Sequence, residues 1–516
     1  MEKTFYVTTP IYYVNAEPHI GHAYTNIAAD CISRYERLRG REVFFLTGTD
    51  EHGQKIAQAA GEKGIDEQSF VDAVVPRFNA LWEKLSIAYS DFIRTTQDRH
   101  IRVVQHILRR LYDKGDLYLE NYEGWYCVPC ETFWPETQLT EMICPDCQRP
   151  LEKIVEENFF FRLSRYQQWL RSYIEEHEEF VLPSSRRNEI MKFLENPLSD
   201  LCITRPKTRI SWGIDVPFSK GHVVYVWFDA LINYISAAGF AADEDRFNRL
   251  WPCEYHLIGK DILRPHTVYW PIMLRALDLP LPRTVFAHGW WQLAGGKISK
   301  SKGNVVDPIA LVERYGQDAF RYFLLRDVRF GLDGVYSEEA LARRYNNDLG
   351  NDLGNLLQRT LTMTEKYFEG RVPASAPKND DDLCRSVRTA QGVLWGAMEA
   401  PMNQLNFSEA LTAIWSFISL LNRFVEETAP WSLAKEGKKE YLAGVVFHLL
   451  EGLRVAALAL FPFMPNAAAR MWGQLGMTTS LEKASYNDIR SWGLIQPGQR
   501  IGEKEPLFPR ITVPEC

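Results

Sequence analysis

Pro18-His19-Ile20-Gly21-His22 follows a β-branched and aromatic run at residues 4–9, and Gly296-Lys297-Ile298-Ser299-Lys300-Ser301 lies far downstream. The first stretch opens a helix over 20–39. Ile27, Cys31, Ile32, Tyr35 and Leu38 recur at helical spacing, and Gly40 supplies the stop. Val43-Phe44-Phe45-Leu46 is the next strand, ending in the polar loop Gly48-Thr49-Asp50-Glu51-His52-Gly53 before another helix. Strand, helix and strand with short links predict a βαβ unit and a parallel sheet, whose ligand sites lie at the carboxyl ends of its strands. Pro18 is expected in the first helical turn, where proline is favoured. The free N–H groups and dipole there attract anions. His19 and His22 stand at i and i+3 and share a face. Gly21 would let a flat base approach the backbone. Lys297, Lys300 and Lys302 sit in a Gly/Ser-flanked loop. Their ammonium groups could close over a triphosphate as charge builds on it, and the loop could reopen for product release. Taken singly, these stretches compete with two bland alternatives, a pair of capping or core histidines and a solvated basic turn. Taken together, they describe two halves of one cradle for the phosphates of ATP.

Outward from these anchors the chain changes character twice. From about 118 to 225 aromatic residues, cysteines and turn residues crowd together, as in an insertion between two halves of a sheet. The sheet is expected to resume with Val223-Val224-Tyr225-Val226-Trp227-Phe228, followed by Tyr255-His256-Leu257-Ile258 and Val285-Phe286-Ala287-His288. After about residue 340 the pattern is helical, interrupted by a Pro/Ala/Ser-rich loop from Gly370 to Asn379. There is no internal repeat.

Within the insertion, Cys127-Val128-Pro129-Cys130 and Cys144-Pro145-Asp146-Cys147 form two C-x-x-C knuckles with 13 residues between them. Four thiolates at this spacing suit one tetrahedral Zn²⁺, and a closed set of sulfurs leaves no position for water, so the expected role is structural. The other five of the nine cysteines (Cys31, Cys202, Cys253, Cys384, Cys516) show no pairing pattern, which suits a reducing cytoplasm.

A length of 516 residues calls for two to four domains, and 46% hydrophobic with 24% charged residues is a globular composition. The net charge of −7 excludes a protein that coats nucleic acid by charge alone, so an RNA partner would need a local patch and specific contacts. The amino terminus runs straight into a strand without the apolar stretch of a signal peptide. Val445 to Phe463 is the most apolar long segment. His448, Glu451 and Arg454 interrupt it at helical spacing, which predicts a buried amphipathic helix and no membrane span.

The paired motifs resemble those of the class I aminoacyl-tRNA synthetases, and the resemblance to the methionyl-tRNA synthetase family covers essentially the whole chain. It is carried by Thr9-Pro10-Ile11-Tyr12-Tyr13-Val14-Asn15, Thr47-Gly48-Thr49-Asp50-Glu51-His52-Gly53, Tyr225-Val226-Trp227-Phe228-Asp229-Ala230, Ile258-Gly259-Lys260-Asp261-Ile262 and Pro506-Leu507-Phe508-Pro509-Arg510-Ile511. Two positions depart from it: Ile298 stands where many members carry methionine, and Asp215 where proline is usual. The resemblance implies an α/β fold, a Rossmann-type parallel-sheet catalytic domain split by a zinc-bearing connective insertion, followed by an α-helical bundle anticodon-binding domain. The corresponding boundaries are 1–117 and 226–340 for the catalytic halves, 118–225 for the insertion and 341–516 for the helical part.

The implied reaction joins L-methionine to tRNA(Met) through a methionyl-adenylate, with Mg²⁺ accompanying ATP. His19 and His22 would contact the phosphates, and Lys297 and Lys300 would neutralise the departing pyrophosphate. Gly21, Gly259 and Asp261 would complete the ATP site, the last two at the ribose. Ile11, Tyr13, Trp227, Ala230, Leu231, Tyr234, Ile262, His266 and Trp270 would line the methionine pocket, whose thioether favours aromatic neighbours, while Asp50 would pair with the ammonium. Asn355, Arg359, Pro430 and Trp431 would read the anticodon, Asn351, Asn355 and Arg359 sharing one helix face. An insertion of this size is too small for the editing domain of the branched-chain enzymes. The family's optional carboxyl-terminal dimerisation module is not expected, so the resemblance implies a monomer. A nucleotidylyltransferase shares a similar histidine motif but is usually smaller and lacks a helical half. A non-catalytic RNA-binding descendant would not need His19, His22, Lys297 and Lys300 intact.

Overall fold

The computed structural model describes residues 4–15, 17–127, 132–134, 139, 142–145, 148–293, 296–297, 306–374 and 381–512. The chain divides into two units. One comprises Met1–Pro18, Val43–Leu81 and Ala88–His288, and the other His19–Glu42, Trp82–Ile87 and Gly289–Cys516.

The first unit is built on six strands: β1 (Phe5–Tyr13), β2 (Val43–Asp50), β3 (Asp91–Arg94), β4 (Val181–Leu182), β5 (Tyr255–Gly259) and β6 (Thr284–His288). They pair in the order β3-β2-β1-β5-β6-β4, every pair parallel. The chain order reverses beside β1, so the carboxyl ends of β1 and β5 flank the switch point where such sheets bind ligands. β1 and β2 pair from Phe5↔Val43 to Tyr13↔Asp50, with a register shift between Thr8 and Ile11. Pro10 lies in that shift and has no N–H to give the ladder, so a bulge there removes the conflict. Gly48 faces Ile93 on β3, where an added Cβ would lie 2.0 Å from the Ile93 carbonyl oxygen. Tyr6, Leu46, Ile93, Ile258, Val285 and Ala287 carry the sheet into a core shared with the Asp98–Asp113 and Asn233–Ala238 helices.

A four-stranded antiparallel sheet, Thr132–Trp134, Leu117–Cys127, Glu152–Phe161 and Leu201–Cys202 in that order, occupies much of the expected insertion. β4 lies inside the same stretch of sequence yet pairs with β6 in the parallel sheet. Val223–Phe228 does not restart that sheet. His222–Val224 pairs antiparallel with Thr204–Pro206, and Val226–Leu231 is a helix. Short apolar runs suit either state, and here helical placement buries Val226, Phe228, Ala230 and Leu231.

In the second unit the Ile20–Leu38 helix stops as expected, with Gly40 at φ +82°. Arg321, wholly buried on the helix Gln317–Arg326, donates to Asp30 Oδ2 (2.7 Å), Phe463 O (2.9 Å), Leu85 O (3.0 Å) and Pro462 O (3.1 Å). Arg34 adds a second bond to Asp30 at 2.8 Å. One guanidinium thereby ties together the 20–38 helix, the 82–87 segment and the turn at 461–463.

The long helices Asp382–Asn403, Phe407–Thr428 and Lys439–Leu460 form the helical half, and Leu349, Leu353, Leu356 and Leu357 are buried in it. Lys439–Leu460 is, among the described residues, the helix long and apolar enough to cross a membrane. It is not amphipathic as expected, for every residue from Gly444 to Leu460 is buried. Its charges are matched inside. Arg454 donates to Glu451 at 2.7 Å, and the amides of Gly493, Leu494 and Ile495 donate to the Glu451 carboxylate at 2.8, 3.1 and 3.0 Å. The expected loop 370–379 is described only as far as residue 374.

Candidate active site

The carboxyl edge of the parallel sheet gathers the candidate residues of the first unit. Asp50 closes β2, is 8% exposed, and pairs in register with Tyr13 at the end of β1. The loop after it is tied down residue by residue. Glu51 is fully buried and takes a bidentate pair from Arg94, Nε to Oε1 at 2.6 Å and Nη2 to Oε2 at 2.9 Å, with Thr96 Oγ1 donating at 2.6 Å. Trp212 Nε1 donates to the Glu51 carbonyl, and His52 reaches Asp229. Such a fork-to-fork pair fixes geometry as well as supplying energy.

Beside β5 the structure brings Tyr234, His266 and Trp270 together. The Tyr234 ring lies 5.8 Å from His266 and 5.9 Å from Trp270, centroid to centroid. His266 Nδ1 donates to Ile262 O (2.9 Å), so its Nε2 accepts from the Tyr234 hydroxyl (2.7 Å). Burial pushes the His266 imidazole down to about 4, which keeps this tautomer neutral at ordinary pH. Trp270 Nε1 donates to His256 Nε2 at 3.1 Å, leaving His256 Nδ1 to donate to Thr8 Oγ1 at 2.7 Å. Trp227, Ala230 and Leu231 lie on the helix Val226–Leu231, which packs on the π-helical turn Pro265–Tyr269. Ile11 and Ile262 pack on the same core, half-buried, and the Lys55 ammonium lies 5.3 Å above the Tyr13 ring. These side chains are thus mostly aromatic with a few fixed polar groups, a composition suited to contact with a small apolar solute. At the end of β5 a Cβ on Gly259 would sit 2.5 Å from Asp261 Oδ1, so the glycine lets that carboxylate fold back over the strand end.

The histidine motif belongs to the second unit. His19 caps the helix, and Pro18 precedes the cap rather than entering the first turn. His19 Nδ1 accepts from Gly21 N at 3.1 Å, and His22 Nδ1 accepts from His19 N at 3.3 Å. The two rings stack with centroids 3.7 Å apart. This reciprocal cap satisfies the helix's first amides as a capping box does. It also sets the tautomer. With Nδ1 accepting, each neutral ring carries its proton on Nε2, the state that donates to a phosphate oxygen. Gly21 has a further reason besides the one expected: an added Cβ would lie 3.0 Å from His19 Cε1, so the glycine also makes room for the capping imidazole. Capping, weighed in the sequence as the alternative to phosphate contact, uses Nδ1 of both rings and so does not compete with a contact through Nε2.

Gly296–Lys297 forms a short strand antiparallel to Trp291–Leu293, and that strand pairs parallel with Gly334–Val335. Lys300 lies outside the described residues, as do Cys130 and Cys147. Cys127 and Cys144 are both fully buried in one small cluster with Leu151, Trp125 and Leu139. The chain turns tightly after Cys144, with Cys144 N bonding Arg149 O at 2.8 Å and Gln148 N bonding Cys144 O at 2.9 Å.

At the helical half Asn351 lies in the π-helical run Tyr345–Gly354, while Asn355 and Arg359 begin the helix Asn355–Phe368. Arg359 donates to Glu426 at 2.8 Å and Asn422 at 2.9 Å, both near the end of the helix Phe407–Thr428. Left-handed Ala429 ends that helix and Pro430 starts the next, leaving Pro430 buried and the Trp431 ring 43% exposed.

Sequence reasoning quoted Glu51, His52 and Asp229 within motifs but gave them no role, and did not single out Arg94 or His100. One signal was present. His100 opens the apolar face Val103, Val104, Ile107, Leu108 and Leu111, and a titratable side chain on such a face needs a buried partner.

Residues 5–153 and 151–361 match the family described as tRNA synthetases class I (M), and residues 372–515 match the anticodon binding domain of methionyl tRNA ligase. The chain is 52% identical to the methionine–tRNA ligase of Caldanaerobacter subterraneus over 99% of its own length and 80% of that protein. It is 48% identical to that of Thermotoga maritima over 98% and 80%. The structure of Mycobacterium tuberculosis methionyl-tRNA synthetase in complex with methionyl-adenylate superposes with a TM-score of 0.93 at 39% identity, covering 98% of this chain and all of that one.

Proposed function

The chain belongs to the methionyl-tRNA synthetases of class I, and from that membership we propose that its two motif-bearing segments and aromatic pocket activate L-methionine with ATP and load it on tRNA(Met). The observation that carries the reading is the match at 52% identity over 99% of the chain to a methionine–tRNA ligase. In the first step a methionine carboxylate oxygen attacks the α-phosphorus of ATP, and the bond to the bridging oxygen of the β-phosphate breaks. In the second the tRNA terminal 2′-hydroxyl attacks the methionyl carbonyl and AMP leaves.

The residues divide this work. Asp50, buried and fixed at the end of β2, holds the ammonium. Tyr13, Ile11, Trp227, Ala230, Leu231, Tyr234, Ile262, His266 and Trp270 enclose the thioether, and Gly259 and Asp261 hold the ribose. His19 and His22 donate from Nε2 to the phosphates, while Lys297 and Lys300 neutralise the leaving pyrophosphate; Mg²⁺ accompanies ATP. Asn355, Arg359, Pro430 and Trp431 form the anticodon surface. The exposed Trp431 ring supports that reading, since unstacked bases settle on aromatic faces. The buried thiols Cys31, Cys202, Cys253 and Cys384 support a reducing, cytoplasmic setting. Amino-acid-dependent ATP–pyrophosphate exchange across the twenty amino acids tests the whole: exchange with methionine is expected, and exchange with none sinks the reading.

Cys127, Cys130, Cys144 and Cys147 would hold one structural Zn²⁺. Two of these thiols share one buried cluster and the chain turns back tightly after Cys144, a donor set of the right chemistry. A Cys127→Ser enzyme should bind less than one equivalent of zinc and melt at a lower temperature than wild type, with adenylate formation in the still-folded fraction retained. One zinc per chain with Cys127, Cys130, Cys144 and Cys147 themselves all still titratable would refute the assignment.

A further inference from the structure

Asp229 is fully buried on the helix Val226–Leu231 and spends both carboxylate oxygens on histidines from distant parts of the chain. His52 Nδ1 meets Oδ2 at 2.7 Å, and His100 Nε2 meets Oδ1 at 2.6 Å. Behind them His100 Nδ1 stands 3.0 Å from Ser236 Oγ, and Ser236 donates to Ile232 O at 3.0 Å. None of the four side chains is more than slightly exposed. Burial alone would raise the Asp229 carboxyl; the attraction of His52 and the bonds from both imidazoles outweigh it and hold the group below its ordinary value. A buried carboxylate with both oxygens bonded is a rigid joint, because breaking either side leaves a charge unmatched.

What the joint connects gives it a role. His52 follows Asp50 by two residues on the loop after β2. Asp229 lies between Trp227 and Ala230 on the facing helix. Glu51, by contrast, is held by Arg94 and Thr96 on the β3 side, so it fixes the loop to the sheet and not to the helix. We infer that His52, Asp229 and His100 form a positioning relay that sets the spacing between the Asp50 carboxylate and the Trp227–Leu231 wall. One amino acid then meets both its ammonium partner and its side-chain pocket. The inference rests on the reading of Asp50 as the ammonium partner. His52, Asp229 and His100 act through Asp50 and the helix, and are positioning residues.

The test is methionine-dependent ATP–pyrophosphate exchange by the whole enzyme carrying His52→Leu, His52→Asn, Asp229→Asn, Asp50→Asn and the Asp50→Asn/His52→Leu pair. Displacements near 1 Å are enough to change such steps by about 10²-fold. His52→Leu and Asp229→Asn should therefore raise the KM for methionine by about 10–100-fold, with the KM for ATP within about twofold. His52→Asn keeps an amide nitrogen where Nδ1 stood and should recover to within about threefold of wild type. In the Asp50→Asn background His52→Leu should add less than about twofold, the non-additivity of groups acting through one another. If His52→Leu does not fold, Asp229→Asn carries the same comparison. Equal rises in both KM values, or full additivity of the pair, would overturn the relay. An Asp50→Asn enzyme with an unchanged methionine KM would instead remove the ammonium reading, and the relay with it.

Discussion

His22→Asn will slow methionyl-adenylate formation by about 10²–10³, or about 2.7–4 kcal/mol, the loss seen when one donor to a developing charge is removed. The helix start makes the variant selective. Asparagine Oδ1 can stand where His22 Nδ1 accepts from His19 N, so the cap survives. What disappears is the Nε2–H beyond it. His22→Gln makes the opposite exchange, with an amide donor near the position of Nε2 and no acceptor for the cap. Single-turnover adenylation should therefore fall further in His22→Asn than in His22→Gln, while the melting temperature falls further in His22→Gln. The reverse order in rate would mean that the histidines serve the helix alone. Lys300→Ala should lose activity on the scale of His22→Asn without any change in melting, since its expected role is confined to the reacting charge.

Arg321→Met should destabilise the second unit by about 3–5 kcal/mol, the range for breaking a buried ion pair from one side. Methionine fills similar volume without a donor. Asp30 would keep Arg34 but lose its shorter partner at 2.7 Å, and the carbonyls of Leu85, Pro462 and Phe463 would lose a donor inside the protein. Neither Arg321 nor Asp30 has measurable side-chain exposure, so solvent cannot step in. The denaturant midpoint of the purified enzyme checks it, and a loss below about 1 kcal/mol would show that the guanidinium's removal is absorbed by rearrangement.

The parts of this molecule that follow from local periodicity were legible in the amino-acid sequence. The 20–38 helix, its glycine stop and the strands at 43, 255 and 284 all carry their pattern within a dozen residues. Val223–Phe228 was not, because a short apolar run is compatible with strand or helix and the decision came from packing. Pro18 shows the same limit at one position: the preference for helix starts was real, but a histidine occupied the cap after it. Tyr234, His266 and Trp270, proposed here to line the methionine pocket, were reached through family resemblance. The bonds that orient them depend on which ring nitrogen is spent on a nearby carbonyl, and no spacing rule states that. The His52–Asp229 contact joins positions 177 residues apart, so nothing local announces it.

The helix Lys439–Leu460 carries one more consequence. Its buried carboxylate at Glu451 is neutralised partly by amides at 493–495, which leave the ribosome after the helix has been made. During synthesis an apolar rod whose Glu451 carboxylate has Arg454 but not yet these amides must therefore wait for the chain behind it. A transcript truncated between the codons for Leu460 and Gly493 would leave that rod permanently without its last partners, and its product is expected to be captured by quality control rather than accumulate as a shortened enzyme.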